Sequence, residues 1–299
     1  MIKYHEKDYG SVMVNKFRDY LWGDKKVEEA TIDAYCIAVR SFCKYSKIND
    51  ESSIKSITGI SVRNFIEHLK SDEYVEGKKY KVSSVNIKIV GVNQFLEFHK
   101  LPELKASLLE KQRRLFVNDA EMLTDMELSK FLKETKKEED LYDEFRAIVQ
   151  TGIRASELKF ITYESLQNGF IDVYNKGISR QVPLPSDLKI ELQKMCKRNS
   201  ILSGVIFNGK NGEPINRSNI ARQMKKIGIK CGISTKKLHP HNLRHYFALK
   251  FIEIYGEDAL SALADILGHK SIETTRIYLK QTLSKLSEKM TLKELKIGS

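Results

Sequence analysis

The chain has 299 residues, of which 41% are hydrophobic and 30% are charged, and its formal net charge is +12 at pH 7. This length suits two domains, and this composition excludes an intrinsically disordered chain. No apolar run approaches the roughly 18–20 residues that a membrane span needs. The N-terminus also has no signal-peptide apolar core. A cytoplasmic protein is therefore expected.

The excess of positive charge has two interpretations. It favours a polyanionic partner through steering and counterion release, or it only makes the surface basic and soluble. Charge alone leaves these evenly balanced. Four cysteines show no Cys-x-x-Cys pattern, and they are predicted to be small apolar core residues in a reducing compartment: Cys36, Cys43, Cys196 and Cys231.

Residues 1–106 are predicted to form a bundle of four or five helices. Apolar residues recur at helical spacing in 31–45 and 61–69, and Ser83 is the predicted N-cap of a helix that continues to Phe98. The Lys-, Glu- and Gly-rich stretch 71–81 is predicted to be an exposed loop. Residues 107–118, which include a basic Lys-Gln-Arg-Arg run, are predicted to be an interdomain linker.

Residues 119–299 are predicted to form a mostly helical second domain with a small β-hairpin. Thr124 is the predicted N-cap of its first helix, and Glu127 completes a capping box. Another helix runs from about residue 143 to 150. Alternating residues in 169–174 and 180–185 flank a turn at 175–177, a pattern typical of a hairpin. The fold class is therefore mainly α.

Residues 239–250 and 267–278, together with Arg154 earlier in the chain, contain the residue types that phosphodiester transfer requires. Such a reaction needs a nucleophile, cationic donors for the non-bridging oxygens, and a proton for the leaving oxygen. Tyr278 is a candidate nucleophile, and Arg154 and Arg244 are candidate phosphate clamps because guanidinium offers paired donors. His241 and His269 are candidate phosphate donors or proton carriers.

Lys176, in the predicted hairpin turn, is a candidate general acid. Each of these residues also has an ordinary structural explanation. The chain has thirteen tyrosines, most of which must pack or lie at the surface, and a lysine in a turn is usually solvated. Taken singly, every candidate favours the structural explanation.

Taken together, the candidates resemble the catalytic set of the tyrosine recombinases, the phage-integrase and Xer-like family. The resemblance covers almost the whole chain and rests on motifs in a fixed order: Thr-Gly-Ile-Arg154-x-x-Glu-Leu, Lys176-Gly, His241-x-x-Arg244-His, Leu-Gly-His269 and Tyr278. It implies a core-binding domain (1–106), a linker (107–118) and a catalytic domain (119–299). It also implies a reaction that needs no metal, cofactor or ATP.

The resemblance further implies a role for each site residue. Tyr278 would form a 3′-phosphotyrosyl link, and Arg154, Arg244 and His269 would bind the phosphate. His241 would assist proton transfer, including from Tyr278. Lys176 would protonate the 5′-oxygen, and Glu157 would orient the site. Two departures stand out: the hairpin is about one residue shorter than usual, and Tyr246 occupies a position where small residues or Thr are common, which predicts packing.

Double-stranded DNA carrying a specific recombination site is the implied partner. Basic residues that could contact it are Arg217, Arg222, Lys225 and Lys226 on one predicted helix, Lys236 and Lys237 before His241, and Lys81 and Lys88 in the first domain. A solvated charged face is the alternative. Leu283, Leu286 and Met290 form an amphipathic stripe after Tyr278, which predicts docking on a neighbouring protomer in a DNA-bound tetramer. Packing on its own core is the alternative.

Three functions fit these residues. The first is a site-specific recombinase, which forms a covalent protein–DNA adduct. The second is a DNA-binding accessory protein without chemistry. The third is a type IB topoisomerase, which relaxes DNA independently of site. The sequence favours the first but does not distinguish integration and excision from resolution or inversion. It also does not identify directionality or accessory proteins.

Overall fold

The computed structural model describes residues 9–71, 80–110, 121–175, 177–209, 212–213 and 215–279. The chain divides into two compact units, Met1–Arg113 and Arg114–Ser299. Both units are mainly helical, and the one sheet among the described residues has two strands. The predicted fold class is therefore confirmed. None of the described helices is long and apolar enough to cross a membrane.

The first unit contains five α-helices within its described residues, in agreement with the predicted bundle. They are α1 (Tyr9–Gly23), α2 (Glu29–Tyr45), α3 (Glu51–Ile54), α4 (Gly59–Lys70) and α5 (Val82–Phe98). Their apolar faces meet in one core that includes Phe17, Phe42, Phe65 and Phe95. These rings pack edge-on in pairs, Phe17 against Phe95 and Phe42 against Phe65.

The predicted start of α5 was wrong by two residues. The helix begins at Val82, its N-cap is Lys81, and Ser83 lies within the first turn. The backbone N–H groups of Ser84 and Val85 donate to the carbonyl of Lys81. The helix therefore starts without a side-chain cap, and Ser83 is not needed for it.

Two asparagines of α5 hold the segment that leaves the first unit. Asn93 accepts from the backbone N–H of Ala106 at 2.9 Å and donates to its carbonyl at 2.8 Å. Asn86 forms the same pair with Leu109, at 2.9 Å in both directions. The asparagines are two helical turns apart, so the extended segment runs along α5. Of the predicted linker, residues 107–110 thus pack on the first unit, and 111–118 lie outside the described residues.

The second unit places a hairpin among eight α-helices in its described part. The elements are α6 (Asp125–Thr135), α7 (Glu139–Thr151), α8 (Tyr163–Asn168), β1 (Phe170–Asn175), β2 (Ile178–Pro183), α9 (Ser186–Arg198), α10 (Arg217–Lys230), α11 (Pro240–Tyr255), α12 (Leu260–Leu267) and α13 (Ile272–Thr275). Short 3-10 turns cover Ala155–Phe160, Glu257–Ala259 and Arg276–Tyr278.

Several local predictions for this unit are confirmed. Thr124 and Glu127 form the capping box of α6. The hairpin pairs its strands antiparallel, from Phe170 opposite Pro183 to Asn175 opposite Ile178. Its second strand begins and ends two residues earlier than predicted. All four cysteines are buried and unpaired.

Helix α11 is fixed in the second unit by contacts along one of its faces. Asn242 donates to the carbonyl of Glu121, while Tyr246 and Lys250 donate to the two carboxylate oxygens of Asp125 at 3.0 and 2.7 Å. These three residues are four apart, so they share one helix face. Tyr246 packs against the core as predicted and also makes this hydrogen bond. The adjacent face of α11 is left for the site.

Candidate active site

The predicted site residues of the second unit come from four separate places in the fold. Arg154 follows α7, where the chain turns through Gly152. His241 and Arg244 lie in the first turns of α11, His269 lies between α12 and α13, and Tyr278 ends the last 3-10 turn. The fold thus brings residues from positions 154 to 278 to one place.

Gly152 is required by this turn for two reasons. It caps α7 in the left-handed region, with φ of 66°. A Cβ there would also lie 2.3 Å from the ring of Phe247 on α11. The tight approach of α11 to the end of α7 lets Arg244 Nη1 donate to the Gly152 carbonyl at 2.7 Å, and Arg154 and Arg244 line the same cavity.

An open cavity of about 470 Å³ lies over these residues. It is lined by Arg154, Ala155, Ser156, Arg217, His239, Pro240, His241 and Arg244. Three arginines around one cavity produce a strongly positive local field. Arg217 was predicted only as a DNA contact, and the structure places it in the wall of the site.

Arg244 is the most buried of these cations, with 1% of its surface exposed. Its Nη2 donates to the carbonyl of Leu267 and contacts His269 Nε2 at 3.4 Å. Its Nε is buried without a hydrogen-bond partner among the described residues. Burial, followed by the charge of Arg154, lowers the Arg244 pKa to about 10, which still leaves it cationic at neutral pH.

Glu157 links two arginines at the edge of the cavity. Its carboxylate accepts from Arg154 Nη1 at 2.8 Å, from the Arg154 backbone N–H at 2.8 Å, and from Arg180 Nη2 at 2.7 Å. Burial alone would raise the Glu157 pKa, but these hydrogen bonds and charges together lower it to about 2. Glu157 is therefore ionised, and it fixes the direction in which Arg154 points.

Arg180 was not among the predicted site residues. It follows the hairpin turn, its Nε donates to the Ile266 carbonyl at 2.9 Å, and its stem packs over Gly268. A Cβ at Gly268 would lie 2.8 Å from the Arg180 side chain, and Gly268 itself has φ of 63°. The Gly in the Leu-Gly-His motif thus admits Arg180. Its position three residues after the predicted turn at 175–177, which carries the candidate Lys176, was the signal that could have identified it.

His269 is held by contacts at both ring nitrogens. Its Nδ1 lies 2.8 Å from Thr275 Oγ1, and its Nε2 faces Arg244. Burial, then the charges of Arg244 and Arg154, lower the His269 pKa to about 4. The neutral ring with its proton on Nδ1 satisfies both contacts, by donating to Thr275 and accepting from Arg244.

Tyr278 is buried, and its phenol contacts a histidine that the sequence reasoning passed over. The Tyr278 Oη lies 2.7 Å from Nδ1 of His245, the residue directly after Arg244. The His245 ring also packs edge-on against His241, with 4.2 Å between centroids. The His245 position within the His-x-x-Arg-His motif was the available signal. His241 faces the cavity instead of the phenol.

Electrostatics keep the phenolic proton on Tyr278 in the DNA-free protein. Burial raises the Tyr278 pKa to about 12, although Arg244 and Arg154 oppose this shift. His245 is partly buried, and burial, then the neighbouring charges, lower its pKa to about 4; the His241 pKa is lowered in the same direction, although its side chain is exposed at the cavity, so its own shift is the smaller of the two. Both imidazoles are therefore neutral at pH 7 and able to accept a proton.

The remaining predicted residues have different outcomes. Lys176 lies outside the described residues, as does the C-terminal stripe of Leu283, Leu286 and Met290. Lys237 donates to both carboxylate oxygens of Glu127 at 2.9 Å. The Lys88 ammonium lies 5.2 Å from the centre of the Tyr80 ring. Exposed side chains are found at Arg217, Arg222, Lys225, Lys226, Lys236 and Lys81.

Comparison with known families agrees with this arrangement. The family described as "Phage integrase family" matches residues 114–284, and "Phage integrase, N-terminal SAM-like domain" matches residues 14–101. The first match alone spans more than half of the chain and contains the whole cavity. The chain is a tyrosine recombinase of the phage integrase family.

Relatives and solved structures are similar over most of this recombinase. Tyrosine recombinase XerA of Pyrococcus furiosus is 29% identical, over 72% of this chain and 75% of that protein. Tyrosine recombinase XerD of Haemophilus influenzae is 25% identical, over 93% of this chain and 97% of that protein. XerH recombinase bound to difH substrate matches with a TM-score of 0.70 at 18% identity, covering 97% of this chain and 99% of that one.

A lambda integrase tetramer bound to a Holliday junction has the same fold. It matches with a TM-score of 0.67 at 17% identity, over 90% of this chain and 76% of that one. Members of the family cleave and rejoin DNA strands, and this recombinase is a site-specific enzyme of that kind. The accessory-protein and topoisomerase alternatives gain no support from these comparisons.

Proposed function

We propose that this recombinase cleaves its DNA at a phosphodiester held in the cavity between Arg154 and Arg244, with Tyr278 as the nucleophile. Arg154 and Arg244 bind the non-bridging oxygens, and His269 joins them once the charge of the bound phosphate favours its protonated form, in which Nε2 also carries a proton. Tyr278 forms the 3′-phosphotyrosyl link, and Glu157 holds Arg154 in position. His241, at the cavity wall, assists proton transfer, and Lys176 supplies the proton to the 5′-oxygen.

The unpartnered Nε of Arg244 is the observation that carries this proposal. A buried charged donor without an acceptor is costly, at roughly 1–3 kcal/mol or more. Arg244 lines an open cavity together with Arg154. A phosphate in that cavity would lie between the two guanidinium groups, and a small shift of the Arg244 side chain would bring Nε to a phosphate oxygen. The DNA-free site is thus built around an anion.

The partner we propose is a specific duplex site, bound by self-association into a tetramer. The XerH structure is bound to difH substrate, and the lambda integrase structure is a tetramer bound to a Holliday junction. Exposed Arg222, Lys225 and Lys226 follow Arg217 along α10, so the basic surface continues from the cavity wall. The helix could therefore follow the DNA backbone outwards from the cleaved phosphate. We propose that the enzyme acts on this DNA in the cytoplasm.

The biological role we propose is recombination of a mobile element or Xer-type resolution or inversion. Accessory or directionality proteins would choose between these outcomes. The C-terminal stripe after Tyr278 is proposed to dock on a neighbouring protomer. Integration, excision, resolution and inversion all pass through the same covalent protein–DNA intermediate, so the formation of that intermediate is tested first.

Covalent capture tests the proposal without knowledge of the site. The full-length protein is incubated with a pool of duplexes whose arm sequences are randomised and which carry a nick near the centre, so that cleavage releases a short fragment and traps the enzyme. Denaturing electrophoresis detects the adduct, and sequencing of the trapped DNA gives the site. A protein-linked product joined through the DNA 3′-phosphate is expected.

Tyr278→Phe should form no adduct, because it removes only the attacking oxygen. Tyr255→Phe is the matched control, since Tyr255 is 62% exposed and lies at the far end of α11. It should trap the same sequences as the wild type. An adduct with Tyr278→Phe would refute the assigned nucleophile. The absence of any adduct with the wild type would refute the cleavage activity.

A further inference from the structure

The phenol of Tyr278 meets one imidazole, and it is not the one that the family resemblance implies. His245 Nδ1 lies 2.7 Å from Tyr278 Oη, whereas His241 lines the cavity. A neutral phenol is a better donor than acceptor, and a neutral imidazole with its proton on Nε2 presents a lone pair at Nδ1. In that tautomer the phenolic proton points at His245 Nδ1.

We propose that His245 is a catalytic residue that accepts the proton of Tyr278 during cleavage and returns it during rejoining. In cleavage, the bond from Oη to phosphorus forms, the bond from phosphorus to the 5′-oxygen breaks, and the phenolic proton passes to His245 Nδ1. The 5′-oxygen takes its proton from a separate donor, the role proposed for Lys176. In rejoining, the 5′-oxygen attacks phosphorus and gives its proton back to that separate group, the bond from phosphorus to Oη breaks, and the imidazolium returns its proton to Oη. This inference rests on the proposed function.

The surroundings of His245 keep it ready for this role. Burial, followed by His241, Arg244, His239 and His269, disfavours its charged form, so the ring is neutral at physiological pH. A base must be unprotonated before the reaction begins, and this environment ensures it. The same environment stops the proton from leaving Tyr278 early, because an imidazolium beside Arg244 is unfavourable.

Bound DNA favours transfer of the phenolic proton from Tyr278 to His245. A phosphodiester between Arg154 and Arg244 adds a negative charge close to both histidines, and more charge develops on its oxygens as phosphorus becomes five-coordinate. An anion near a histidine favours its protonated form. The acidity of Oη also increases as its bond to phosphorus forms. Proton transfer to His245 is thus coupled to attack on the bound substrate.

The contact between the His245 and His241 rings indicates that the two imidazoles act together at the site. The two rings touch, His241 borders the cavity, and His245 meets the phenol. In this arrangement His245 serves the nucleophile and His241 serves the phosphate. The two histidines of the motif, four residues apart on one face of α11, then have separate functions.

Two substitutions separate proton transfer from positioning. His245→Ala removes the contact. His245→Asn keeps a side-chain oxygen close to the position of Nδ1, so it can accept the hydrogen bond but cannot hold the proton. Single-turnover cleavage is measured on a trapped site from the randomised pool, with circular dichroism and DNA binding as checks of folding. If His245→Ala fails to fold, the shape-conserving Asn variant carries the test.

A second substrate distinguishes a role of His245 at the nucleophile from a role at the leaving group. It replaces the bridging 5′-oxygen by sulfur, so that a thiolate leaves without a proton. Loss of a leaving-group acid is rescued by this substrate, whereas loss of the nucleophile's base is not. We expect both His245 variants to cleave about 100-fold or more slowly than wild type on both substrates, the range typical of one general base.

Each other outcome overturns the inference. Near-normal cleavage by His245→Asn would make His245 only a positioning residue. Rescue by the sulfur substrate would place its action on the leaving group. Unchanged or faster cleavage by His245→Ala would make the contact a restraint on the tyrosine. Wild-type adduct formation in the same experiment shows that the proposed function stands whichever of these is found.

Discussion

Replacing Glu157 by Gln should destabilise the second unit by an amount that depends on pH. The Glu157 carboxylate is almost fully buried and joins Arg154 to Arg180, and the Arg180 side chain is only 9% exposed. Its pKa falls from 4.5 to about 2, which at about 1.4 kcal/mol per tenfold change corresponds to about 3 kcal/mol at neutral pH. Removing one partner of a buried pair typically costs a similar roughly 3–5 kcal/mol.

The sign of the pH dependence follows from the depressed pKa. The ionised carboxylate contributes its full stability above the unfolded pKa of 4.5, and this contribution is lost as pH falls towards 2. The difference between wild type and Glu157→Gln should therefore shrink from about 3 kcal/mol at pH 7 to about 1 kcal/mol at pH 3.

Urea unfolding followed by circular dichroism at pH 7, 5 and 3 measures this difference. The single tryptophan, Trp22, lies in the first unit, so its fluorescence monitors a part of the chain that the substitution does not touch. Glu273→Gln is a matched control, since its ion pair with Arg276 is exposed and should contribute less than about 1 kcal/mol. A difference below about 1 kcal/mol at pH 7, or one that does not change with pH, would refute the reasoning.

Three further substitutions test how the second unit holds the site. Gly152→Ala should lower the free energy of unfolding by more than about 2 kcal/mol, because the new Cβ would meet the Phe247 ring at 2.3 Å and the φ is unfavourable for alanine. The control Gly169→Ala has a similar φ but open space around it, so it should lower this free energy by only about 1 kcal/mol. Equal losses of stability in thermal unfolding would contradict the steric argument. Tyr246→Phe should lose about 1 kcal/mol with its hydrogen bond to Asp125, and an unchanged melting temperature would show that the bond does not anchor α11. Glu144→Gln should stabilise the protein at pH 7, because burial, then two nearby acids, raise its pKa to about 8 and the unfolded chain ionises it more readily. That gain should disappear by pH 4, below the unfolded pKa, and a loss of stability at pH 7 would count against it.

The sequence alone predicted the main helices, the hairpin and most of the residues of the candidate site. Helical periodicity predicted the bundle of the first unit. The capping box of α6 needs only the two hydrogen bonds between Thr124 and Glu127, and the hairpin follows from alternation around a turn. These are local features, in which neighbouring residues satisfy one another's backbone groups. The motif set also predicted which arginines, histidines and tyrosine belong to the site, and the structure brings Arg154, Arg244, His269 and Tyr278 into one cluster. Lys176 stays a prediction.

Only the tertiary structure decided how these residues are connected. Arg180 reaches Glu157 and the Ile266 carbonyl across sequence separations of 23 and 86 residues, and no local pattern encodes such contacts. The choice of His245 over His241 as the partner of Tyr278 depends on how the last 3-10 turn packs against α11. Sequence periodicity places both histidines on the same helix face. Which of them the phenol meets is fixed by long-range packing, because a hydrogen bond requires a separation that only the folded chain sets.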